Sequence, residues 1–188
     1  GLWLRRRDDI STEATDSHSL IYNTKFIEEL QNEGEVLGLL LHETLHCAYD
    51  HVVRAKEQDL DRQIWNWAGD YFINNDLHHR GYKLPKGGLI DHRYDGWSTM
   101  QIYKELYQEQ PELPEELLDI MECPNGMSEA EHREAVTTNI VKAVTQARLA
   151  NDYGSVPGDI ARRVEELLNP TLPWNEILMN YMNEYAKE

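Results

Sequence analysis

Cysteine is scarce in this sequence, with only Cys47 and Cys123 among 188 residues. Two cysteines are too few for a disulfide framework and cannot form a zinc site made of several thiolates. Long apolar stretches are also lacking, since the longest run, residues 36–41, is far shorter than the roughly 20 residues of a membrane helix. No segment has the charged start and apolar middle of a signal peptide. We therefore expect a cytoplasmic protein that has no membrane partner.

Basic residues are few as well. The chain has 18 Lys and Arg against 34 Asp and Glu, which gives a formal net charge of -16. A protein that binds a phosphate backbone needs clustered cations, so we expect no nucleic-acid partner. Hydrophobic residues make up 40% of the sequence, which is enough for a buried core. The length fits a single domain over residues 1–188, and we expect a core over 1–97 with a helical extension over 98–188.

The local patterns predict an α+β protein that is mostly helical, with a small N-terminal sheet. Strand-like segments occur within the first 22 residues, on both sides of a turn at Asp16. Asn23, Ser98 and Ser128 are suited to begin helices, the last two with a glutamine or glutamate three residues later. The predicted helices span about 24–31, 35–56, 61–79, 99–108, 129–149, 157–168 and 173–186.

The apolar helix over residues 35–56 contains the pattern His42-Glu43-Thr44-Leu45-His46, an HExxH motif. Residues four apart share one face of a helix, so both imidazoles can reach one metal ion. Glu43 lies about 100° further round the helix than His42, where a carboxylate can take a proton from a metal-bound water. A chain of this composition would contain roughly 0.04 such motifs by chance. The alternative is a pair of hydrogen-bonded core histidines, and we favour metal binding over it because buried polar groups need partners.

A catalytic zinc ion usually has three protein ligands and one open position, so a third ligand is needed. His51 is nearest in sequence, but on a continuous helix it lies about 180° from His42. The next helix has Asn66, Asp70 and Asn74 at intervals of four among apolar residues, which predicts a polar stripe that faces inward. Two histidines and a carboxylate form an accepted catalytic zinc set, so we predict Asp70 as the third ligand. Asn66 and Asn74 are then expected beside the ligands.

Other polar residues near the motif have simpler interpretations. Asp50 could orient an imidazole or pair with a cation, and we expect Cys47 to be a small buried residue. The histidines His78, His79 and His92 are most simply surface residues, although one of them could stabilise a transition-state oxyanion. The tyrosines that share that possibility are Tyr22, Tyr49 and Tyr71.

Four segments of the chain resemble a bacterial and phage family of metallopeptidase domains, which is often joined to a von Willebrand factor A-like domain. They are residues 14–26, 42–54, 65–74 and 81–85, with a weaker likeness at 172–174. The resemblance implies a zincin-like fold, one zinc ion per chain and peptide-bond hydrolysis. Relatives occur beside MoxR-type ATPases, so the resemblance also implies a possible partner of that kind.

Three functional hypotheses follow from these patterns. The first is a zinc metalloendopeptidase that acts on a peptide or protein, with zinc on His42, His46 and Asp70 and with Glu43 as general base. By analogy with zincins, the strand over residues 19–22 would pair with the substrate. The second is a non-catalytic, zinc-stabilised binding or adaptor module, which would not need Glu43. The third, zinc-dependent hydrolysis of a non-peptide bond such as those of RNA, is disfavoured by the negative charge.

Overall fold

The computed structural model describes residues 3–10, 12–16, 19–30, 32–111, 128–152, 154 and 156–168. The elements within these residues, in chain order, are β1 (Trp3–Arg6), β2 (Glu13–Thr15), β3 (Ser19–Tyr22), α1 (Thr24–Glu29), α2 (Glu33–Ala48), α3 (His51–Glu57), α4 (Arg62–His79), a 3₁₀ turn (His92–Tyr94), α5 (Thr99–Glu109), α6 (Glu129–Leu149) and α7 (Gly158–Leu168). The predicted α+β class, mostly helical with a small N-terminal sheet, is confirmed. Its zincin-like character stays a prediction, and the helix predicted over 173–186 lies outside the described residues.

The three strands form one sheet in the order β1-β3-β2. The central strand β3 pairs in parallel with β1 and antiparallel with β2. Ala14 of β2 lies opposite Ile21 of β3, and both are buried. Thr15 of β2 contacts Cys47 of α2 through Oγ1 and Sγ at 3.3 Å. The inner edge of the sheet therefore packs on the helix that carries the HExxH motif.

The prediction of a single helix over residues 35–56 is wrong, because α2 ends at Ala48 and a separate helix, α3, begins at His51. Asp50 adopts a left-handed conformation, with φ 56° and ψ 31°. Aspartate is one of the few residues besides glycine that enter this region without a large penalty. The Asp50 amide donates to the Cys47 carbonyl at 3.1 Å, and the Asp50 carbonyl accepts from Arg54 at 2.9 Å. One aspartate therefore ends α2 and begins α3 without any glycine or proline.

Helix α4 forms the centre of the core. Trp65, Ala68 and Ile73 have no exposed surface, and the helix packs on α2, α3 and α5. Its first turn is capped by Asp61, whose side chain accepts from the Ile64 amide at 3.0 Å. Its last turn closes at Gly81, which has a φ of 82°. The chain then runs back along α4 through a segment that has no regular structure until the 3₁₀ turn.

The helix starts predicted from capping patterns are confirmed. Asn23 accepts from the amides of Lys25 and Phe26 at the start of α1. Ser98 forms a reciprocal capping box at the start of α5. At the start of α6 the Ser128 hydroxyl accepts from the Glu131 amide at 3.2 Å, and the Glu131 carboxylate accepts from the Ser128 amide at 2.9 Å. Local side-chain chemistry thus fixes where these helices begin.

The chain divides into two compact units, Gly1–Asn139 and Ile140–Glu188. The first contains the sheet, helices α1 to α5 and the residues of the HExxH motif. In the second, Arg148 and Glu165 form an ion pair at 2.8 Å that joins the end of α6 to α7. The division into a core over 1–97 and an extension over 98–188 stays a prediction. Among the described residues, no helix is both long enough and apolar enough to cross a membrane.

Candidate metal centre

Helix α2 places the two motif histidines one turn apart, with their rings directed to the same point. Their Nε2 atoms are 3.0 Å apart. His42 is 6% exposed and His46 is fully buried. Two imidazole nitrogens this close, both inside the protein, form two corners of a metal-binding set.

The third corner of the triangle comes from α4. The Oδ1 atom of Asp70 lies 3.2 Å from Nε2 of His46 and 3.7 Å from Nε2 of His42. A tetrahedral ion with bonds of 2.0–2.2 Å separates its ligand atoms by about 3.3–3.6 Å. The three edges of this triangle, 3.0 to 3.7 Å, lie around that range. The donor set therefore fits a small divalent ion in both chemistry and spacing.

The two asparagines of the stripe orient the candidate ligands. His42 donates from Nδ1 to Oδ1 of Asn74 at 2.8 Å, and Asn74 donates from Nδ2 to the Leu89 carbonyl at 3.2 Å. With its proton on Nδ1, His42 presents a lone pair on Nε2. Asn66 donates to Oδ2 of Asp70 at 3.2 Å, which leaves Oδ1 directed at the histidines. The inward orientation of the stripe is confirmed, since Asn66, Asp70 and Asn74 are all at most 4% exposed.

His51 lies at the other nitrogen of the His46 ring. Its Nδ1 atom is 3.0 Å from Nδ1 of His46, and its Nε2 atom is 3.3 Å from Oγ1 of Thr99. Complete burial, reinforced by His46 and Arg54, holds the pKa of His51 well below its usual range, so the ring is neutral. If His46 offers a lone pair on Nε2, its Nδ1 proton is donated to His51, which in turn donates from Nε2 to Thr99.

The prediction that His51 lies about 180° from His42 on one continuous helix is wrong. Helix α2 ends at Ala48 and His51 begins α3, and His51 lies outside the triangle of ligand atoms. The Trp65 indole, which donates to the His51 carbonyl at 2.9 Å, ties the start of α3 to α4. His51 thus serves as the partner of His46 rather than as a corner of the triangle.

Gly69 provides the space in which these imidazoles lie. A Cβ atom at Gly69 would be 2.8 Å from Nδ1 of His51 and 3.0 Å from Cε1 of His46. Such distances are shorter than van der Waals contact, so even alanine would displace the rings. The sequence contains no signal for this requirement, because a glycine inside a helix has many possible causes.

Glu43 lies in the same helical turn as both histidines and is 2% exposed. A buried carboxylate next to a candidate metal ligand is a candidate functional group. Cys47 is also buried, and its thiol donates to the Glu43 carbonyl at 3.2 Å. The packing role predicted for Cys47 is confirmed.

A pocket borders the triangle on the side of His42, Asp70 and Asn74. Its volume is about 620 Å³ when its open mouth is included. The remaining lining residues are Thr12, Glu13, Phe26, Leu39, Leu84, Pro85, Lys86, Gly87, Gly88 and Leu89. A partly apolar pocket with a few polar groups is a common form of ligand site. Sequence patterns do not indicate that residues 84–89 line this pocket, because their position depends on how the chain returns along α4.

The other residues considered from sequence lie elsewhere. His78, His79 and His92 are exposed, as predicted. The Tyr49 ring packs on His51 and Phe72, and the Tyr71 ring packs on Tyr94.

Comparison with known proteins yields one family. The model of the family described as "Putative metallopeptidase domain" matches residues 1–188. No curated protein and no solved structure matches the chain significantly.

Proposed function

Because this chain belongs to that metallopeptidase family, we propose that it is a zinc-dependent endopeptidase whose metal is held by His42, His46 and Asp70. The observation that carries the proposal is the triangle of Nε2, Nε2 and Oδ1 atoms, with Glu43 buried in the same helical turn. Two imidazoles and one carboxylate, with a fourth position for water, form an accepted catalytic zinc set. Magnesium and calcium prefer oxygen ligands, so the imidazoles favour zinc over them.

A zinc ion at this site would supply a water of lowered pKa and would polarise the carbonyl of the bond to be cleaved. Glu43 would then serve as general base, with its carboxylate able to take a proton from the attacking water and to give it to the nitrogen of the leaving amine. His42 and His46 would hold the ion through their Nε2 atoms. The chain thus contributes one residue that moves protons and several that hold geometry.

The residues around the ligands fix their protonation as well as their position. Asn74 accepts the Nδ1 proton of His42, and Nδ1 of His51, 3.0 Å from Nδ1 of His46, can accept that of His46. Each imidazole is thereby held in the tautomer that offers Nε2 to a metal. Asn66 performs the equivalent task for Asp70 by donating to its outer oxygen.

The pocket provides the place for the substrate. Five apolar side chains line it, Phe26, Leu39, Leu84, Pro85 and Leu89, while Glu13 and Lys86 add charges of both signs. We propose that a substrate places an apolar side chain in this pocket, next to the bond that is cleaved. Glu13, the first residue of β2, lines it together with Thr12, which precedes the strand.

The expectation that the strand over residues 19–22 pairs with the substrate is wrong. Those residues form β3, whose two edges already bond to β1 and β2. Within the described residues β2 is an edge strand of the sheet. An extended peptide that enters the pocket would therefore meet β2, not β3.

The test of this function is the substitution Glu43→Gln, which keeps the size of the side chain and removes the base. We expect zinc content to be unchanged and hydrolysis of casein or of a quenched fluorescent peptide library to fall by about 10²–10⁴-fold. The control is His42→Ala/His46→Ala, which should lose hydrolysis together with the zinc ion held by this triangle.

Two results would count against the proposal. Hydrolysis by Glu43→Gln within about tenfold of wild type would remove Glu43 from the mechanism. Zinc binding with no hydrolysis of any library member by the wild-type chain would favour the zinc-stabilised adaptor module instead.

A further inference from the structure

A second group of metal-ligating side chains lies on the surface where α4 ends. His79 belongs to the last turn of α4, whereas His92 and Asp95 belong to the 3₁₀ turn and to the residue that follows it. One nitrogen or oxygen from each lies within 4.8 Å of the other two. All three residues are exposed, so an ion in solution can reach them.

The three side chains converge on one oxygen atom. Oδ2 of Asp95 is 3.0 Å from Nε2 of His79 and 3.2 Å from Nδ1 of His92. A third imidazole lies close, since the ring centroid of His78 is 5.5 Å from that of His92. The two distances to Oδ2 are slightly shorter than the roughly 3.3–3.6 Å between ligands of a tetrahedral ion with bonds of 2.0–2.2 Å, and a small outward shift of these exposed side chains would admit the ion.

The carboxylate is held in place from below by a buried asparagine. Asn75, 4% exposed, donates from Nδ2 to Oδ1 of Asp95 at 3.0 Å and to the Asp91 carbonyl at 2.8 Å. Its own Oδ1 accepts from the Asp91 amide at 3.2 Å. Asn75 lies one helical turn before His79, so the same face of α4 holds the loop and presents the imidazole. Oriented outer partners of this kind are typical of metal sites.

The electrostatics also suit a cation. The Asp95 carboxylate supplies the negative charge, with Oδ2 at 3.0 Å from Nε2 of His79. The last turn of α4 adds the negative end of a helix dipole.

We propose that His79, His92 and Asp95 form a second metal site, which binds a zinc-class divalent ion. Imidazole ligands favour zinc and its late first-row neighbours over magnesium and calcium. His79 comes nine positions after Asp70 in α4, which corresponds to a rise of about 13.5 Å along the helix axis, so the two sites cannot share an ion.

The ion would fasten the loop after α4 to the end of that helix. This loop carries Leu84 and Leu89, which line the pocket, and its Leu89 carbonyl accepts from Asn74. The second site thus acts on the shape of the pocket and not on the chemistry within it. It is independent of whether the first site is a peptidase.

The alternative is a simple set of ion pairs, in which protonated His79 and His92 surround Asp95 and no metal binds. Calorimetric titration of the whole chain with Zn²⁺ at neutral pH and physiological salt separates the two. We expect about two equivalents for wild type and about one for both His79→Gln/His92→Gln and Asp95→Asn. The matched control is Asp76→Asn, a change of a partly exposed aspartate on the same helix, which should still bind about two.

The first site can be removed to isolate the second. In His42→Ala/His46→Ala we expect one surface equivalent to persist and to disappear when His79→Gln/His92→Gln is added. The proposal is overturned if wild type binds a single equivalent. It is equally overturned if the surface variants bind zinc with the stoichiometry and affinities of wild type.

Discussion

Gly69 is packed beneath the rings of His46 and His51, at distances that leave no space for a methyl group. We expect Gly69→Ala to weaken zinc binding by about 10–100-fold, the usual cost of disturbing groups that orient a ligand. Chelator competition gives the affinity. The matched control is Gly158→Ala in α7, where a Cβ would meet nothing within 4 Å. An alanine at position 69 that folds and binds zinc as wild type does would contradict the packing described.

The zinc affinities of variants at His51 and Asp70 distinguish a residue that orients a ligand from a residue that is itself a ligand. His51→Ala should weaken zinc binding by about 10–100-fold, because His46 loses its partner. Asp70→Ala removes a corner of the triangle and should weaken binding considerably more. Thr99→Val is a third comparison, because it keeps His51 and removes only the hydroxyl group that lies 3.3 Å from Nε2 of His51. Equal affinities for the first two variants would show that His51 and Asp70 have been assigned the wrong roles.

The break between α2 and α3 is the structural element on which the position of His51 depends. Asp50 has a φ of 56°, a conformation that a β-branched residue resists. Asp50→Val should therefore lower the free energy of unfolding by about 1–2 kcal/mol more than Asp50→Asn does. Urea denaturation measures both. Equal stabilities would indicate that α2 continues through residue 50 as one helix.

Helix α2 also approaches the chain after α4 closely, at a glycine. A Cβ atom at Gly38 would lie 2.0 Å from the Lys83 carbonyl oxygen, which is part of the backbone and has little freedom to move. Gly38→Ala should destabilise the protein by about 2 kcal/mol or more, despite the higher helix propensity of alanine. At Gly34, four residues earlier, a Cβ would meet only side-chain atoms of Asn32 and Lys83. Gly34→Ala should cost clearly less, and equal losses would refute the close approach.

At the scale of the whole molecule, the proposed zinc site joins α2 to α4. The three ligand atoms come together only in the folded chain, so an ion should bind the folded state alone. Zinc at 100 times its dissociation constant should then raise the free energy of unfolding by about 2.7 kcal/mol. Urea denaturation with zinc and with a chelator measures this shift. In His79→Gln/His92→Gln, which removes the proposed surface site, the shift should vanish once His42→Ala/His46→Ala is added, and a shift that persists there would place the stabilising ion elsewhere.

The parts of this site that follow helical periodicity were predictable from sequence. The spacing of His42 and His46 predicted one shared face, and the interval of four along Asn66, Asp70 and Asn74 predicted an inward stripe on the next helix. Both depend on contacts within one element. The predicted caps at Asn23 and Ser98 are local in the same sense.

The parts that depend on contacts between distant segments were not predictable. The helix break at Asp50 contains no glycine or proline that would predict it. Because of this break, His51 lies next to His46. The close approaches at Gly38 and Gly69 arise only once the helices pack. The strand order, which put β3 in the centre, and the meeting of His92 and Asp95 with His79 depend on how the chain returns.

The most direct test of the zinc centre is a structure of the zinc-loaded protein. The account predicts one ion bound by Nε2 of His42 and of His46 at about 2.0–2.1 Å and by Oδ1 of Asp70 at about 2.0–2.2 Å. His51 should remain at Nδ1 of His46, outside bonding distance of the metal. A nitrogen of His51 at about 2.0–2.1 Å from the ion, with Asp70 directed elsewhere, would contradict the account.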